Sequence, residues 1–227
     1  MLYNKKILAL VPARGGSKGI KNKNLKKIKN KSLIELTSIF IDKCEFIDEK
    51  VLSSDSHKIL KIEKKLKFTN VKRPDRLSGD NINDFKVINH TIKSKNFNHY
   101  DYLIYLQPSS PIRKYWHLKS AIKNVIKKKL NGSWSVSKIN KKNHPCKILI
   151  NKNGFLKLYD KSGKNFVSRQ KLEDIYIRNG IFYIFSINSI KKFKSIYLPK
   201  MELSLTHYKY ANIDNLSDLK IAKKLYK

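Results

Sequence analysis

The chain has 227 residues, of which 41% are hydrophobic, and a formal net charge of +33 at pH 7. This length and hydrophobic content are enough for one well-buried domain with an appendage. No apolar run approaches the length of a membrane span, and no signal-peptide pattern opens the chain. Cys44 and Cys146 are too few and too far apart for a disulfide framework or a zinc site. We therefore expect a soluble cytoplasmic protein with no membrane partner.

The high positive charge favours anionic partners, and nucleic acid is the first to consider. Only six of the 50 basic residues are arginines, and the lysines are scattered along the chain. A nucleic-acid-binding protein would instead cluster arginine and exposed aromatic residues on one face. We interpret the lysine runs as solvated faces and expect no specific nucleic-acid partner. A basic nucleic-acid-binding protein remains the alternative that is not an enzyme.

The first predicted strand, residues 7–12, is an apolar run that ends at Pro12. Ligands of open parallel α/β sheets lie outside the carboxyl ends of the strands. A glycine-rich cationic loop follows this strand at once, and we predict that it binds phosphates. Its glycines let the backbone N–H groups approach a ligand, and its basic side chains supply charge. These residues are Gly15, Gly16 and Gly19 with Arg14, Lys18 and Lys21.

Two standard phosphate loops are excluded by the order of these residues. A Walker A loop needs Gly-Lys followed by Ser or Thr, whereas this chain has Ser17-Lys18-Gly19. The glycine spacing also differs from the G-x-G-x-x-G of dinucleotide-binding loops.

The rest of the chain alternates predicted helices and strands. Ser32 is the expected N-cap of the first helix, with Glu35 completing a capping box. This alternation predicts an α/β fold, with a mostly parallel Rossmann-like nucleotide-binding sheet flanked by helices. In chain order, the predictions are helix 32–44, strand 50–54, helix 58–66, helix 84–92, strand 102–106, helix 116–129, strand 132–139, strand 179–185, strand 208–213 and helix 217–226.

Residues 140–178 break this alternation. They are rich in Asn and Lys, with turn signals at 151–154 and 162–163 and aromatic and aliphatic residues between them. We predict that 1–227 form one domain in which 140–178 are an inserted β-rich dimerisation arm, buried against a second copy of the chain.

Several residues keep two interpretations on pattern alone. Asp55 follows a predicted strand, where it either faces the ligand crevice or belongs to the cap of the next helix, for which Ser56 is the better N-cap. Gln107 ends a strand, and its position is equally consistent with a ligand contact and with a hydrogen bond within the turn. Tyr183 lies in an apolar strand, where a core aromatic is as consistent as a ligand contact.

The loop P-A-R-G-G-S-K-G-I-x-x-K-N at residues 12–24 resembles the nucleotide loop of the acylneuraminate (CMP-sialic acid) cytidylyltransferases. Further stretches that resemble this family recur in the same order over nearly the whole chain. They are R-P-x-x-L-S-G-D at 73–80, L-Q-P-S-S-P-I-R at 106–113, H-P-C-K at 144–147, R-Q-x-L at 169–172, N-G-x-x-Y at 179–183, and Ile213-Asp214 with Asp218-Leu219.

The resemblance implies a nucleotidyltransferase that joins CMP from CTP to a nonulosonic acid, a nine-carbon 2-keto sugar acid such as N-acylneuraminate, legionaminate or pseudaminate, and releases pyrophosphate. It implies a homodimer, with Mg²⁺ as cofactor. The roles carried over are nucleotide binding by Arg14, Gly15, Gly16, Ser17, Lys18, Lys21, Asn22 and Arg73; catalysis by Lys21, Arg14 and Asp214; sugar binding by Gln107, Asn179 and Tyr183, with Lys147 and Arg169 from the neighbouring subunit; and metal binding by Asp214 and Asn212.

Two positions depart from the family pattern. Asn212 stands where the family usually has Asp, so we expect weaker metal affinity unless the carboxylate of Asp80 or Asp55 also binds the metal. The alternative is that the chain binds nucleotide without turnover. Asp84 falls where better-known members have a nucleotide-contacting Ser. The enzymatic alternative is the related transferase for the eight-carbon acid Kdo, whose loop has Arg where this chain has Gly19.

Overall fold

The computed structural model describes residues 1–165 and 168–226, with all their side chains except those of Glu63, Lys64 and Arg169. The chain divides into two compact units. The first unit comprises Met1–Ser135 and the chain from Asn179 onward, and the second comprises Val136–Arg178. The arm that the sequence predicts at 140–178 lies within the second unit.

The elements follow one another largely as the alternating pattern predicts. In chain order they are β1 (Ile7–Pro12), β2 (Lys27–Ile28), β3 (Lys31–Ser32), α1 (Leu33–Asp42), β4 (Glu49–Ser54), α2 (His57–Lys61), α3 (Glu63–Leu66), β5 (Thr69–Lys72), α4 (Asp84–Ser94), β6 (Tyr102–Tyr105), α5 (Tyr115–Lys127), β7 (Gly132–Lys138), β8 (Leu149–Lys152), β9 (Phe155–Leu158), β10 (Tyr176–Ser186), α6 (Ile187–Phe193), β11 (Met201–Leu205) and α7 (Leu216–Leu225).

The central sheet has seven strands in the order β11-β7-β10-β6-β1-β4-β5. β1 is parallel to β4 and β6, and β4 is parallel to β5, whereas β10 is antiparallel to β6. The predicted α/β class with a mostly parallel sheet is therefore confirmed.

β1 is apolar throughout because both of its faces are covered. Ile7, Ala9 and Val11 pack in one hydrophobic cluster with side chains of α1 and α5, while Leu8 and Leu10 pack in another with side chains of α4 and α6. All five of these β1 residues have 0% exposure. The middle of the sheet is thus rigidly held, and the loop that leaves its carboxyl end starts from a fixed point.

The capping box predicted for the first helix is present. The Ser32 hydroxyl accepts a hydrogen bond from the Glu35 N–H at 3.2 Å, and the Glu35 carboxylate accepts one from the Ser32 N–H at 2.6 Å. Ser56 caps α2 by accepting a hydrogen bond from the Ile59 N–H at 3.4 Å. The single helix predicted over 58–66 is instead two short helices, α2 and α3.

The strand predicted over 208–213 is wrong. Residues 206–213 carry no strand, and the last strand of the sheet is β11. The alternating apolar side chains at Ala211 and Ile213 are buried in a small cluster against α7, so the alternation reflects packing without a strand ladder. β11 escapes the hydrophobic pattern because its most buried residue is polar, Ser204.

Arg113, after β6, is a buried guanidinium that ties three segments together. It donates hydrogen bonds to the Ile181 carbonyl of β10 at 2.8 Å, to the Thr37 hydroxyl of α1 at 3.4 Å, and to the carbonyl of Gln107. Burial lowers the pKa of Arg113 to about 10. These contacts fix the proline-containing turn that follows β6, and with it the position of Gln107.

The second unit contains the antiparallel hairpin of β8 and β9, whose register pairs Leu149 with Leu158 and Lys152 with Phe155. Large apolar side chains of this hairpin are exposed, among them Leu149 at 53%, Phe155 at 71% and Leu156 at 74%. A two-stranded hairpin is marginally stable alone, and such an apolar surface is typical of a protein interface.

Candidate active site

A cavity of about 510 Å³ lies in the first unit, beside the carboxyl ends of β1 and β6. Ligands of open α/β sheets bind at this edge. The cavity is also lined by the loop after β5 and by the start of α4. Six of the residues to which the resemblance assigns a role line it, namely Arg14, Ser17, Lys18, Arg73, Gln107 and Asp214.

The loop after β1 is held from two sides. The Gly15 N–H donates a hydrogen bond to the Asp55 carboxylate at 2.9 Å, and the Asn24 side-chain amide donates one to the Arg14 carbonyl at 3.0 Å. Asp55 therefore anchors the loop, a role that differs from both interpretations of this residue, since it does not line the cavity and Ser56 is the N-cap of α2. The Gly15 N–H is engaged by Asp55 in this state and does not face the cavity as an open donor.

Two basic side chains of the loop meet one carboxylate. Asp80 binds Arg14 through Oδ1 and Lys18 through Oδ2, both at 2.7 Å. These two contacts, that of Lys18 first, hold the pKa of the Asp80 carboxyl below its usual range. The two cations are thus close enough together to share a single anion.

Arg73, the residue directly after β5, is a buried cation on the cavity wall. Its residue surface is 4% exposed, and its Nη2 lies 4.0 Å from Asp55. Within the described ranges, its Nε has no hydrogen-bond partner. Burial lowers the pKa of Arg73. An unpaired buried donor is unusual in a folded protein and makes Arg73 a candidate ligand contact.

The base of the cavity carries a tyrosine and a carboxylate. The Tyr105 hydroxyl of β6 donates a hydrogen bond to Asp84, the first residue of α4, at 2.8 Å. Burial, followed by the neighbouring Asp84, raises the pKa of Tyr105 well above its ordinary value, so the hydroxyl stays protonated. The acidic residue at position 84 thus has a defined partner in the protein itself.

Tyr183 stacks on Tyr105, with ring centroids 6.4 Å apart and an interplanar angle of 11°. Its residue surface is 6% exposed, and it belongs to the hydrophobic cluster on the α4 side of the sheet. The structure therefore places it as a core aromatic behind the cavity wall.

The segment before α7 also lines the cavity, where it lies against the loop after β1. Asp214 lines the cavity, its side chain is 71% exposed, and its Oδ1 accepts a hydrogen bond from the Lys23 ammonium at 3.0 Å. Asn212 Oδ1 accepts a hydrogen bond from the Ser110 hydroxyl at 3.3 Å, which joins this segment to the turn after β6. A Cβ at Gly19 would lie 2.1 Å from the Asp214 carbonyl oxygen, so only glycine permits this approach.

Gln107 and Asn179, both predicted to contact a sugar, differ in their surroundings. Gln107 lines the cavity, and Gly180 approaches it closely: a Cβ at Gly180, where φ is +72°, would lie 3.0 Å from Gln107 Oε1. Asn179 is buried, accepting a hydrogen bond from Ser135 at 2.7 Å and donating one to Thr206 at 2.8 Å. Its amide organises the start of the buried part of β10.

Lys23 and Asn24 line the cavity, whereas Lys21 and Asn22 do not. The sequence carries the pair Lys-Asn twice in succession, at 21–22 and 23–24. The second pair is the K-N that ends the family-like loop pattern at residues 12–24. The repeat itself is the signal that would have drawn attention to the second pair. Gly16 and Asn212 are also outside the lining.

Lys147 lies in the second unit, and the side chain of Arg169 is outside the described part of the chain. No group of three or more His, Cys, Asp or Glu side chains able to hold a metal ion occurs among the described residues. Nor does any helix in that part of the chain combine the length and the apolar character needed to cross a membrane.

Comparison with known proteins gives several relatives over most of the chain. A pseudaminic acid cytidylyltransferase of Campylobacter jejuni is 28% identical, covering 98% of this chain and 97% of its own length. A CMP-N,N'-diacetyllegionaminic acid synthase of Legionella pneumophila is also 28% identical, covering 85% and 83%. An N-acylneuraminate cytidylyltransferase of Escherichia coli is 26% identical over 96% of this chain, which spans about half (51%) of that relative.

Solved structures show the same fold. A CMP:2-keto-3-deoxy-manno-octonic acid synthetase complexed with CTP superposes with a TM-score of 0.71 at 12% identity, covering 97% of this chain and 98% of that one. The cytidylyltransferase family model matches residues 8–226, from the start of β1 to the end of α7. The chain therefore belongs to the cytidylyltransferase family.

Proposed function

We propose that the protein transfers CMP from CTP to a nonulosonic acid, a nine-carbon 2-keto sugar acid, with release of pyrophosphate. The observation that carries the proposal is the cavity itself, which Arg14, Lys18 and Arg73 line together with Gln107 and Asp214 at the carboxyl edge of the sheet. The choice of substrate class is supported by the names of three relatives, which refer to N-acylneuraminate, pseudaminic acid and diacetyllegionaminic acid.

In this reaction the anomeric hydroxyl of the sugar acid attacks the α-phosphorus of CTP. A new oxygen–phosphorus bond forms as the hydroxyl proton passes to water and the bond from the α-phosphorus to the bridging oxygen breaks, and pyrophosphate leaves with that electron pair. Such a transfer depends on positioning and on neutralising charge. Arg14 and Lys18 would hold the leaving phosphates, Arg73 would donate hydrogen bonds to the nucleotide, and Gln107 would orient the sugar acid.

Mg²⁺ is proposed as the cofactor, held by Asp214 with the Asn212 amide. The Asp214 carboxylate fits this ion, because Mg²⁺ prefers one or two carboxylates together with waters and substrate phosphates, whereas the Asn212 Oδ1 accepts the Ser110 hydroxyl and would have to exchange that partner for the ion. Asp214 is an exposed carboxylate on the cavity wall, held by Lys23 on one oxygen. When bound, the ion would neutralise phosphate charge.

Asn212→Asp is expected to lower the Mg²⁺ concentration for half-maximal pyrophosphate release by about tenfold, since a second carboxylate beside Asp214 strengthens a hard-cation site. Magnesium titrations of the rate and direct Mn²⁺ binding both measure this. Asn215→Asp is the matched control, because it adds the same charge at an N-cap that tolerates Asp. Equal magnesium dependence in wild type and Asn212→Asp would count against a metal at this position.

The assembly is proposed to be a homodimer formed through the second unit. Its hairpin exposes large apolar side chains, which a second copy of the chain would bury. In such a dimer Lys147 and Arg169 would reach the neighbouring subunit's active site.

The deciding experiment is pyrophosphate release with CTP and Mg²⁺ against N-acetylneuraminate, legionaminate, pseudaminate and Kdo, with ATP, GTP and UTP as control nucleotides. We expect release with CTP and one nine-carbon acid, which would identify the reaction and the substrate together. Release with Kdo alone would move the protein to the eight-carbon branch. A folded protein that binds CTP but is silent with every acid would contradict turnover of these substrates.

A further inference from the structure

Asp80 bridges two cations that line the cavity. Its two carboxylate oxygens bind Arg14 and Lys18 separately, each at 2.7 Å, as two oxygens of a phosphate chain would. Asp80 lies on the cavity wall, in the loop that joins the short 3-10 turn Asp75–Leu77 to α4. The loop that is proposed to bind phosphates is therefore bridged, in the free protein, by an anion from the chain itself.

These contacts are of the kind that exchange readily. The side chain of Lys18 is 84% exposed, that of Asp80 39% and that of Arg14 34%. Ion pairs at this exposure are screened by water and contribute little to stability. A triphosphate brings more negative charge than one carboxylate to the same two cations, so it can displace Asp80.

Arg73 provides the contrast within the same cavity. Its Nε lacks a hydrogen-bond partner in the described chain, and its nearest carboxylate, Asp55, is 4.0 Å away and already accepts the Gly15 N–H. Of Arg14, Lys18 and Arg73, the three cations proposed to bind the nucleotide, the first two are thus the ones that a carboxylate bridges in the described chain.

We propose that Asp80 is an internal competitor for the phosphate-binding cations. It binds Arg14 and Lys18 when no nucleotide is present, the incoming phosphates displace it, and it recaptures the cations as pyrophosphate leaves. Asp80 thereby sets how tightly phosphate chains are held and favours release of the product. The inference rests on the proposed function, because it takes Arg14 and Lys18 as phosphate ligands.

The test is calorimetric titration of the full-length protein with inorganic tripolyphosphate, in EDTA, so that neither a metal nor turnover is involved. Asp80→Asn is expected to bind tripolyphosphate about tenfold more tightly than wild type, because two exposed ion pairs no longer compete. Asp75→Asn, which removes the same charge from the same loop, is expected to stay within about twofold of wild type. Asp80→Glu retains the competing charge and is expected to stay near wild type. Circular dichroism establishes that each variant is folded.

Pyrophosphate inhibition provides a second readout under turnover conditions. The inhibition constant of pyrophosphate is expected to fall by about tenfold in Asp80→Asn and to remain unchanged in Asp75→Asn. Equal affinities in Asp80→Asn, Asp75→Asn and wild type would overturn the role of Asp80 while leaving the phosphate site intact, and so would weaker binding by Asp80→Asn. If none of the folded proteins binds tripolyphosphate, both this inference and the proposed function fail.

Discussion

Gly19→Ala is expected to lower kcat/KM for CMP transfer by about 100-fold, the cost of displacing reacting groups by roughly 1 Å. A Cβ at this position would lie 2.1 Å from the Asp214 carbonyl oxygen and 3.2 Å from its carbonyl carbon. Both are backbone atoms, so no side-chain rotation relieves the contact. The loop that carries Lys18 and the segment that carries Asp214 must therefore move apart.

Gly16→Ala is the matched control, since a Cβ there meets nothing within 4 Å and the loop retains its other glycines. We expect its loss of kcat/KM to be well below that of Gly19→Ala. Steady-state kinetics of pyrophosphate release, with thermal unfolding to compare the folds, measures both. Equal losses in the two variants would mean that loop flexibility, and not the approach of Gly19 to Asp214, limits the reaction.

Much of the fold is predictable because local signals agree with it. The apolar run of β1 and the Ser32–Glu35 capping box depend on residues close in sequence, and both are present. The predicted strand over 208–213 fails for the opposite reason, because Ala211 and Ile213 are buried by α7 and not by a strand ladder. A periodicity of two reports burial on one face and does not by itself report strand pairing.

The sequence predicts which residue types form the candidate site better than it predicts which of those residues contact one another. Arg14 and Lys18 follow from the composition and position of the loop after β1, Arg73 and Asp214 follow from the resemblance to the family, and all four line the cavity. The Asp80 bridge to two cations joins residues more than 60 positions apart in the chain. No local pattern encodes such a contact, since it arises only when two loops are brought to the same edge of the sheet.

Arg73→Met is expected to lower kcat/KM by about 10²–10³-fold, the loss typical of removing one preorganised donor to a developing charge. Its melting temperature, in contrast, is expected to be unchanged or higher. Arg73 is 4% exposed, its Nε has no hydrogen-bond partner among the described residues, and burial lowers its pKa. A buried cation in this condition costs folding free energy, so an apolar side chain of similar length removes that cost.

This opposite movement of activity and stability separates a ligand-binding role from a structural one. A structural arginine would lose both on substitution, because its partners would be left unsatisfied. Arg76→Met is the matched control, since Arg76 lies in the same loop and is exposed, and we expect little change in either quantity. Steady-state kinetics and differential scanning calorimetry on the three proteins measure the outcome. If Arg73→Met unfolds several degrees earlier than wild type while its activity falls in proportion to the folded fraction, Arg73 supports the fold and the nucleotide is bound by other residues.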